Sequence, residues 1–279
     1  MDAPIEVRFD RFILPKTAVR QSLRVYSGRP DQALLIEPVY DVVERVVSYR
    51  PALGTVFERG LLYQVELALP EESTTGFGFR AFDGAPLTES GEIPLHFSFR
   101  TARAAPTAPP PLAAPSCADA LSVLTNGECS LSPCHTGPTA PLGLRLDSSA
   151  GLLGTAISRV ARETEGPSAG TTIVDPPRFG VGMPVIDPGG PGSSYLVYKL
   201  LVKRENFGSA DAACQTAHRV DLPEGTCIAP SAAERGRLGD WFVGLDPMPP
   251  GSSALLHGPS DLRTLSDYIA AGAPTAGCD

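Results

Sequence analysis

The sequence predicts two domains, an all-β sandwich and a mostly α domain with long loops, on three observations. Residues 1–102 alternate apolar and polar with period two. Residues 103–116 are a Pro/Ala stretch with five prolines and no hydrophobic periodicity. Residues 117–279 carry helix caps followed by apolar faces at helical spacing, and all six cysteines of the chain.

In the first part, Ile5-Glu6-Val7-Arg8-Phe9-Asp10 has the pattern of a half-buried strand. The alternation recurs in Leu23 to Tyr26, Val42 to Tyr49, Tyr63 to Leu67, Gly76 to Phe82 and Leu95 to Phe99. Six or seven short strands with turn signals between them predict an antiparallel sandwich. His96 falls in the last strand and is read as structural. Proline fixes φ and removes a backbone donor, so 103–116 is expected to be an extended, semi-rigid linker.

Composition narrows the function. Of 279 residues, 42% are hydrophobic and 19% charged, which suits a folded chain rather than a charged disordered one. The 29 prolines and 28 glycines argue against long uninterrupted helices. The net charge of −8 offers no basic face for nucleic acid, and no long apolar run predicts a transmembrane segment. Met1-Asp2-Ala3-Pro4 lacks the regions of a secretory signal, yet six cysteines in one part point to an oxidising compartment. The expectation is an exported protein whose signal is not in this sequence; a lipid anchor on the native precursor is compatible with that.

After the linker, Cys117 to Gly127 predicts a short helix ended by glycine. Then comes Cys129-Ser-Leu-Ser-Pro-Cys134-His135. Two cysteines with a histidine directly after the second is the arrangement that attaches haem covalently: thiols add to the vinyl groups and the imidazole binds iron. Four residues separate the cysteines here, where two are usual. Downstream, Ser193 or Ser194 is placed to cap a helix bearing Tyr195, Leu196, Tyr198 and Leu200-Leu201. Ser260-Asp261 is placed to cap a last helix with Leu262, Leu265, Tyr268 and Ile269 on one side and Gly272 at its end.

Two resemblances can be placed on these residues. Pro4 to Asp10, Tyr49-Arg50-Pro51 with Leu53, Gly60-Leu61-Leu62-Tyr63-Gln64-Val65 and Phe97-Ser98-Phe99-Arg100-Thr101 resemble the bacterial Ig-like domain of the SbsA type. Such domains act as spacers and adhesive modules on exported proteins. The Cys-His motif, Gly143-Leu144-Arg145-Leu146-Asp147, Asp187-Pro188-Gly189-Gly190-Pro191-Gly192-Ser193-Ser194-Tyr195-Leu196-Val197-Tyr198-Lys199-Leu200 and Met248-Pro249-Pro250, followed by Leu262 to Ala273, resemble bacterial cytochrome c-like domains.

The second resemblance implies haem c held by Cys129 and Cys134, with His135 as proximal ligand, Met248 as distal ligand and Met183 as its alternative. His218 and His257 are weaker candidates. Cys214 and Cys227 enclose a short loop and pair naturally, and Cys117–Cys278 would then tie the first and last helices that the family fold places in contact. The competing partition pairs Cys129 with Cys134 or Cys117 and leaves a haemless structural or adhesive module of the cell envelope. The implied activity is one-electron transfer with an unidentified redox partner protein, in the periplasm or outer envelope of a Gram-negative bacterium, and not enzymatic turnover.

Gly166-Pro167-Ser168-Ala169-Gly170 matches the spacing of a hydrolase nucleophile elbow, but a helix-like stretch, Ile157 to Glu165, precedes it where a strand is required. Zinc would need four ligands in two pairs, and one pair is evident.

Overall fold

In a computed structural model, backbone can be described for residues 4–9, 11–70, 77–82, 84–88, 95–103, 113–161, 183–202, 238 and 259–278. The chain divides into two units, residues 1–40 with 45–113, and residues 41–44 with 114–279.

The first unit contains two three-stranded sheets. Strand β1 (Ile5–Arg8) pairs antiparallel with β4 (Val46–Pro51), whose other neighbour is β3 (Ile36–Asp41). Strand β5 (Leu62–Leu67) lies between β2 (Leu23–Tyr26) and β6 (His96–Arg100), antiparallel to both. Alternation does what period-two pattern requires: Leu23, Val25, Tyr63, Val65 and Leu67 are buried, while Arg24 and Glu66 meet on the other face at 2.6 Å. Aromatic rings complete the core in two groups, Phe9 and Tyr49 around Phe79, and Phe57, Tyr63 and Phe99. Three short 3-10 turns, at Pro15–Thr17, Arg20–Ser22 and Pro30–Gln32, interrupt the strands.

Two local expectations are corrected here. The strand expected over Val42 to Tyr49 begins only at Val46, and a strand not expected, β3, precedes it despite Pro38. The described part of Gly76 to Phe82 forms isolated bridges, Ile13 to Ala81 and Arg80 to Pro86, rather than a strand. Gly78 explains this: its φ of +114° breaks extended geometry, and a β-carbon there would lie 2.5 Å from the Ala68 carbonyl oxygen.

In the second unit, four α-helices fall among the described residues: α1 (Cys117–Asn126), α2 (Ser149–Thr155), α3 (Tyr195–Leu201) and α4 (Pro259–Ala270). They have 10, 7, 7 and 12 residues, with turns and single bridges between them. The expected plan of an all-β Ig-like sandwich followed by a mostly α cytochrome c-like domain is therefore overturned. Among the described residues the chain is mixed, with two small sheets and four short helices. Proline and glycine account for the brevity. Pro184, Pro188, Gly189, Gly190 and Pro191 crowd the approach to α3, and prolines lack the amide that would continue a helix.

Helix α1 starts from a capping box. Ser116 Oγ accepts from the Asp119 amide at 3.2 Å, and the Ser116 amide donates to Asp119 Oδ2 at 2.7 Å. The Ser116 hydroxyl, donating to Asp119 Oδ2 at 2.7 Å, and then the Ser116 amide hold the exposed Asp119 carboxyl below its ordinary pKa. The buried residues of α1 are Cys117, Ala120, Val123 and Leu124, and α4 packs against it through Leu262, Leu265, Tyr268 and Ile269. A disulfide joins Cys117 to Cys278 just beyond α4, and Tyr268 Oη lies 3.8 Å from Cys117 Sγ.

Candidate functional site

The Cys129–His135 segment leaves α1 through Gly127, whose amide caps Val123 at 3.0 Å, and Glu128, at φ +60°. The Cys129 amide still bonds back to Leu124 at 2.9 Å, so the first cysteine is fixed to the helix end. The loop then returns on itself. Cys134 donates its amide to Leu131, and the His135 amide donates to the Cys129 carbonyl at 2.9 Å. Four residues lie between the cysteines, yet the loop's two ends are joined by one hydrogen bond. Cys129 is buried, Cys134 is half-buried, and neither is in a disulfide.

The histidine ring is oriented from the opposite side of the loop. His135 Nδ1 lies 3.2 Å from the Leu144 carbonyl oxygen, which can only accept. Nδ1 therefore donates to that carbonyl, which fixes the ring's orientation. The Leu146 amide donates to the His135 carbonyl at 2.8 Å, pinning the backbone as well. Asp147 secures the next turn, accepting from Thr136 Oγ1 at 2.8 Å and the Gly137 amide at 2.9 Å. The Gly137 bond, opposed by partial desolvation and helped by Thr136, Arg145 and Ser148, holds the Asp147 carboxyl below its ordinary pKa.

A second wall is built from backbone pairing. Residues 157–161 are not the start of the helix expected over Ile157 to Glu165; they bridge to the segment around Val185. Val185 donates to the Arg159 carbonyl at 2.7 Å and Ala161 to the Met183 carbonyl at 2.9 Å. That segment then supplies the N-terminal carbonyls of α3. Tyr195 donates to Pro184 at 2.9 Å and Leu196 to Val185 at 3.0 Å, satisfying amides a cap would otherwise serve. The expected cap from Ser194 is consequently not formed. Its hydroxyl accepts from the Asp187 amide at 2.8 Å and donates to the Gly190 carbonyl at 2.9 Å, tying the preceding turn. Desolvation against that turn raises the Asp187 pKa.

Loop and wall enclose a cavity of about 600 Å³ in the second unit, lined by both cysteines and His135. Leu144, Leu146, Val185, Leu196 and Leu200 make its lining mainly apolar. Its size falls within the roughly 300–1,000 Å³ typical of cofactor sites. Met183 lies half-buried next to the wall through its backbone, but its side chain is not part of the lining. Met248, His218, His257, Cys214 and Cys227 lie outside the described residues, as does the Gly166–Gly170 stretch.

The sequence reading named Tyr195, Leu196 and Leu200 on a helix face but did not single out Arg159, Val185 or Lys199. Lys199 is the clearest omission: it is 4% exposed in α3 and lines the cavity. The available signal was its place inside the apolar run Tyr195 to Val202. Among the described residues, no group of three or more His, Cys, Asp or Glu side chains is placed to hold a bare metal ion. A macrocycle-bound iron asks only for axial ligands, so that absence does not bear on it. Also among the described residues, no helix is long and apolar enough to cross a membrane.

The chain matches no protein-family model and no curated protein.

Proposed function

We propose that the second unit binds haem c covalently and serves in one-electron transfer. The observation that carries the reading is that Cys129, Cys134 and His135, with neither cysteine in a disulfide, all line one mainly apolar cavity of about 600 Å³. The donor chemistry fits the group: two thiols for thioether links and an imidazole whose Nδ1 is already committed to a carbonyl.

Bound haem supplies a ferric/ferrous couple. The chain's part is to hold and tune. Cys129 and Cys134 anchor the macrocycle from the loop, and the Leu144 carbonyl, by accepting from Nδ1, increases the basicity of Nε2. The aliphatic walls exclude water and lower the local dielectric, which disfavours the extra charge of the ferric state. The cytochrome c-like resemblance assigns the distal position to Met248, with Met183 next. The Cys117–Cys278 disulfide supports residence in an oxidising compartment, the periplasm or outer envelope, with the β-rich first unit as a spacer.

The test is to produce the chain in a periplasm equipped for haem maturation and denature it. Expected is a pyridine haemochrome spectrum from the denatured chain and the mass increment of one covalent haem. A colourless chain of unmodified mass overturns the reading and leaves a haemless envelope module. Replacing Met248 and Met183 in turn assigns the distal ligand by which one abolishes the sulfur-to-iron charge-transfer band.

A further inference from the structure

Two aliphatic side chains stand at the mouth of the cavity. Leu142 and Val160 both line it, yet they are 53% and 61% exposed. Val160 belongs to the bridged wall, where it pairs with Pro184. Leu142 is different. Its φ of +55° and ψ of 12° lie in the left-handed region, where a β-carbon crowds the backbone. Gly143 beside it is also left-handed, at φ +73°, but glycine adopts that conformation without a steric penalty.

Hydrogen bonds brace this turn. The Gly143 amide donates to the Ala140 carbonyl at 2.9 Å and the Leu144 amide to the Pro141 carbonyl at 3.1 Å. The Leu144 carbonyl in turn accepts from His135 Nδ1. A leucine more than half in water gains little from burial, so packing does not offset its backbone penalty. A bulky residue kept in a strained conformation beside a cavity points to a task there.

We infer that Leu142 covers the mouth of this cavity and screens the bound group from water. The inference rests on the haem reading for the identity of that group and adds to it the residue that sets the group's exposure. With the mouth covered, the apolar lining keeps its low dielectric and disfavours the ferric charge. With it open, water enters and stabilises that charge. Leu142 therefore raises the reduction potential and lowers local stability, and the two effects are separable.

The test compares haem-loaded wild type with Leu142→Gly, Leu142→Asn and Leu142→Met, by reduction potential, axial spectrum and urea denaturation. Glycine and asparagine both tolerate the left-handed backbone, and neither supplies an apolar cover. Both variants are expected to unfold at no lower urea concentration than wild type, with an unchanged axial spectrum and a potential shifted downward. Leu142→Met, which keeps an apolar side chain over the mouth, is expected to retain the wild-type potential.

An unchanged potential in both Leu142→Gly and Leu142→Asn overturns the inference and leaves the haem reading standing. Lower stability or an altered axial spectrum in both overturns it too, by making Leu142 an ordinary support of the His135 loop. A wild-type chain without haem overturns the haem reading alone. In that chain the cover is read from iodoacetamide modification of the buried Cys129, mapped by mass spectrometry. Faster modification in Leu142→Gly than in wild type is expected, and equal rates overturn the inference.

Discussion

The amide of His135 donates to the carbonyl of Cys129 at 2.9 Å, so the residues that begin and follow the Cys-x4-Cys loop are hydrogen-bonded neighbours. Two extra residues relative to the usual haem-attachment spacing are taken up by the turn in which Cys134 bonds back to Leu131. With the loop turned back in this way, Cys129, Cys134 and His135 all line the same cavity.

That arrangement makes the thiols separable. Cys134→Ser is expected to lower the yield of covalent haem, because one thioether remains through Cys129. The double Cys129→Ser/Cys134→Ser chain should lose its haem on denaturation in acid acetone. Full retention by the double variant would exclude thioether attachment. Mass spectrometry of the denatured chains reads both.

The disulfide between Cys117 and Cys278 spans 161 residues of sequence. Cross-links closing long loops restrict the unfolded ensemble strongly, and native ones are typically worth about 2–5 kcal/mol. Cys117→Ser/Cys278→Ser is expected to lower the unfolding free energy of the second unit by that amount, read from denaturant titration. Added reductant should destabilise wild type by at least as much as it destabilises the variant plus the cost of losing this cross-link.

Asp147 gives a pH signature. Its folded pKa is depressed, first by the Gly137 amide, so its contribution is present above the unfolded value near 3.9 and is lost as pH falls through the lower folded value. Asp147→Asn is expected to cost about 1 kcal/mol at pH 7. The difference from wild type should vanish at the acid end of the titration. Urea denaturation from pH 7 down to pH 2 measures it, and a constant difference at all pH values would contradict the assignment.

In the first unit, Gly78→Ala is expected to destabilise by about 2 kcal/mol or more. The new methyl would meet backbone, the Ala68 carbonyl oxygen at 2.5 Å and the Pro70 nitrogen at 2.6 Å, at a φ of +114°. Gly28→Ala, with φ +95° and open space around it, should cost less. Thermal denaturation of the two variants separates steric conflict from backbone strain.

Local signals in the sequence were informative where one feature dominated. Gly127 after Asn126 marks the end of α1, whose Ser116–Asp119 start was not read; Leu262, Leu265, Tyr268 and Ile269 mark the buried face of α4. The Cys-His motif led to the cavity. The rest depended on pairing between distant residues. Residues 157–161 look helical by composition, but their carbonyls and amides are taken by Met183, Val185 and Ile186. Strand β3 contains Pro38, which argues against a strand when read alone. Helix α2 went unnoticed because a short Gly-containing stretch has little propensity, although Ser148 Oγ accepts from the Gly151 amide at 3.1 Å. Short elements and unpaired-looking segments leave no period to read, so the overall plan was misjudged while single helices were found.

The disulfide also has a mechanical meaning. Cys117 opens α1 and Cys278 follows α4, with 161 residues between them and α-carbons 4.8 Å apart. A pull applied at Ser116 and Asp279 therefore runs through one sulfur–sulfur bond. The cavity, its loop and α3 all lie off that line of force. Tension on the oxidised chain bypasses them; on the reduced chain the same pull would begin by peeling α1 from α4.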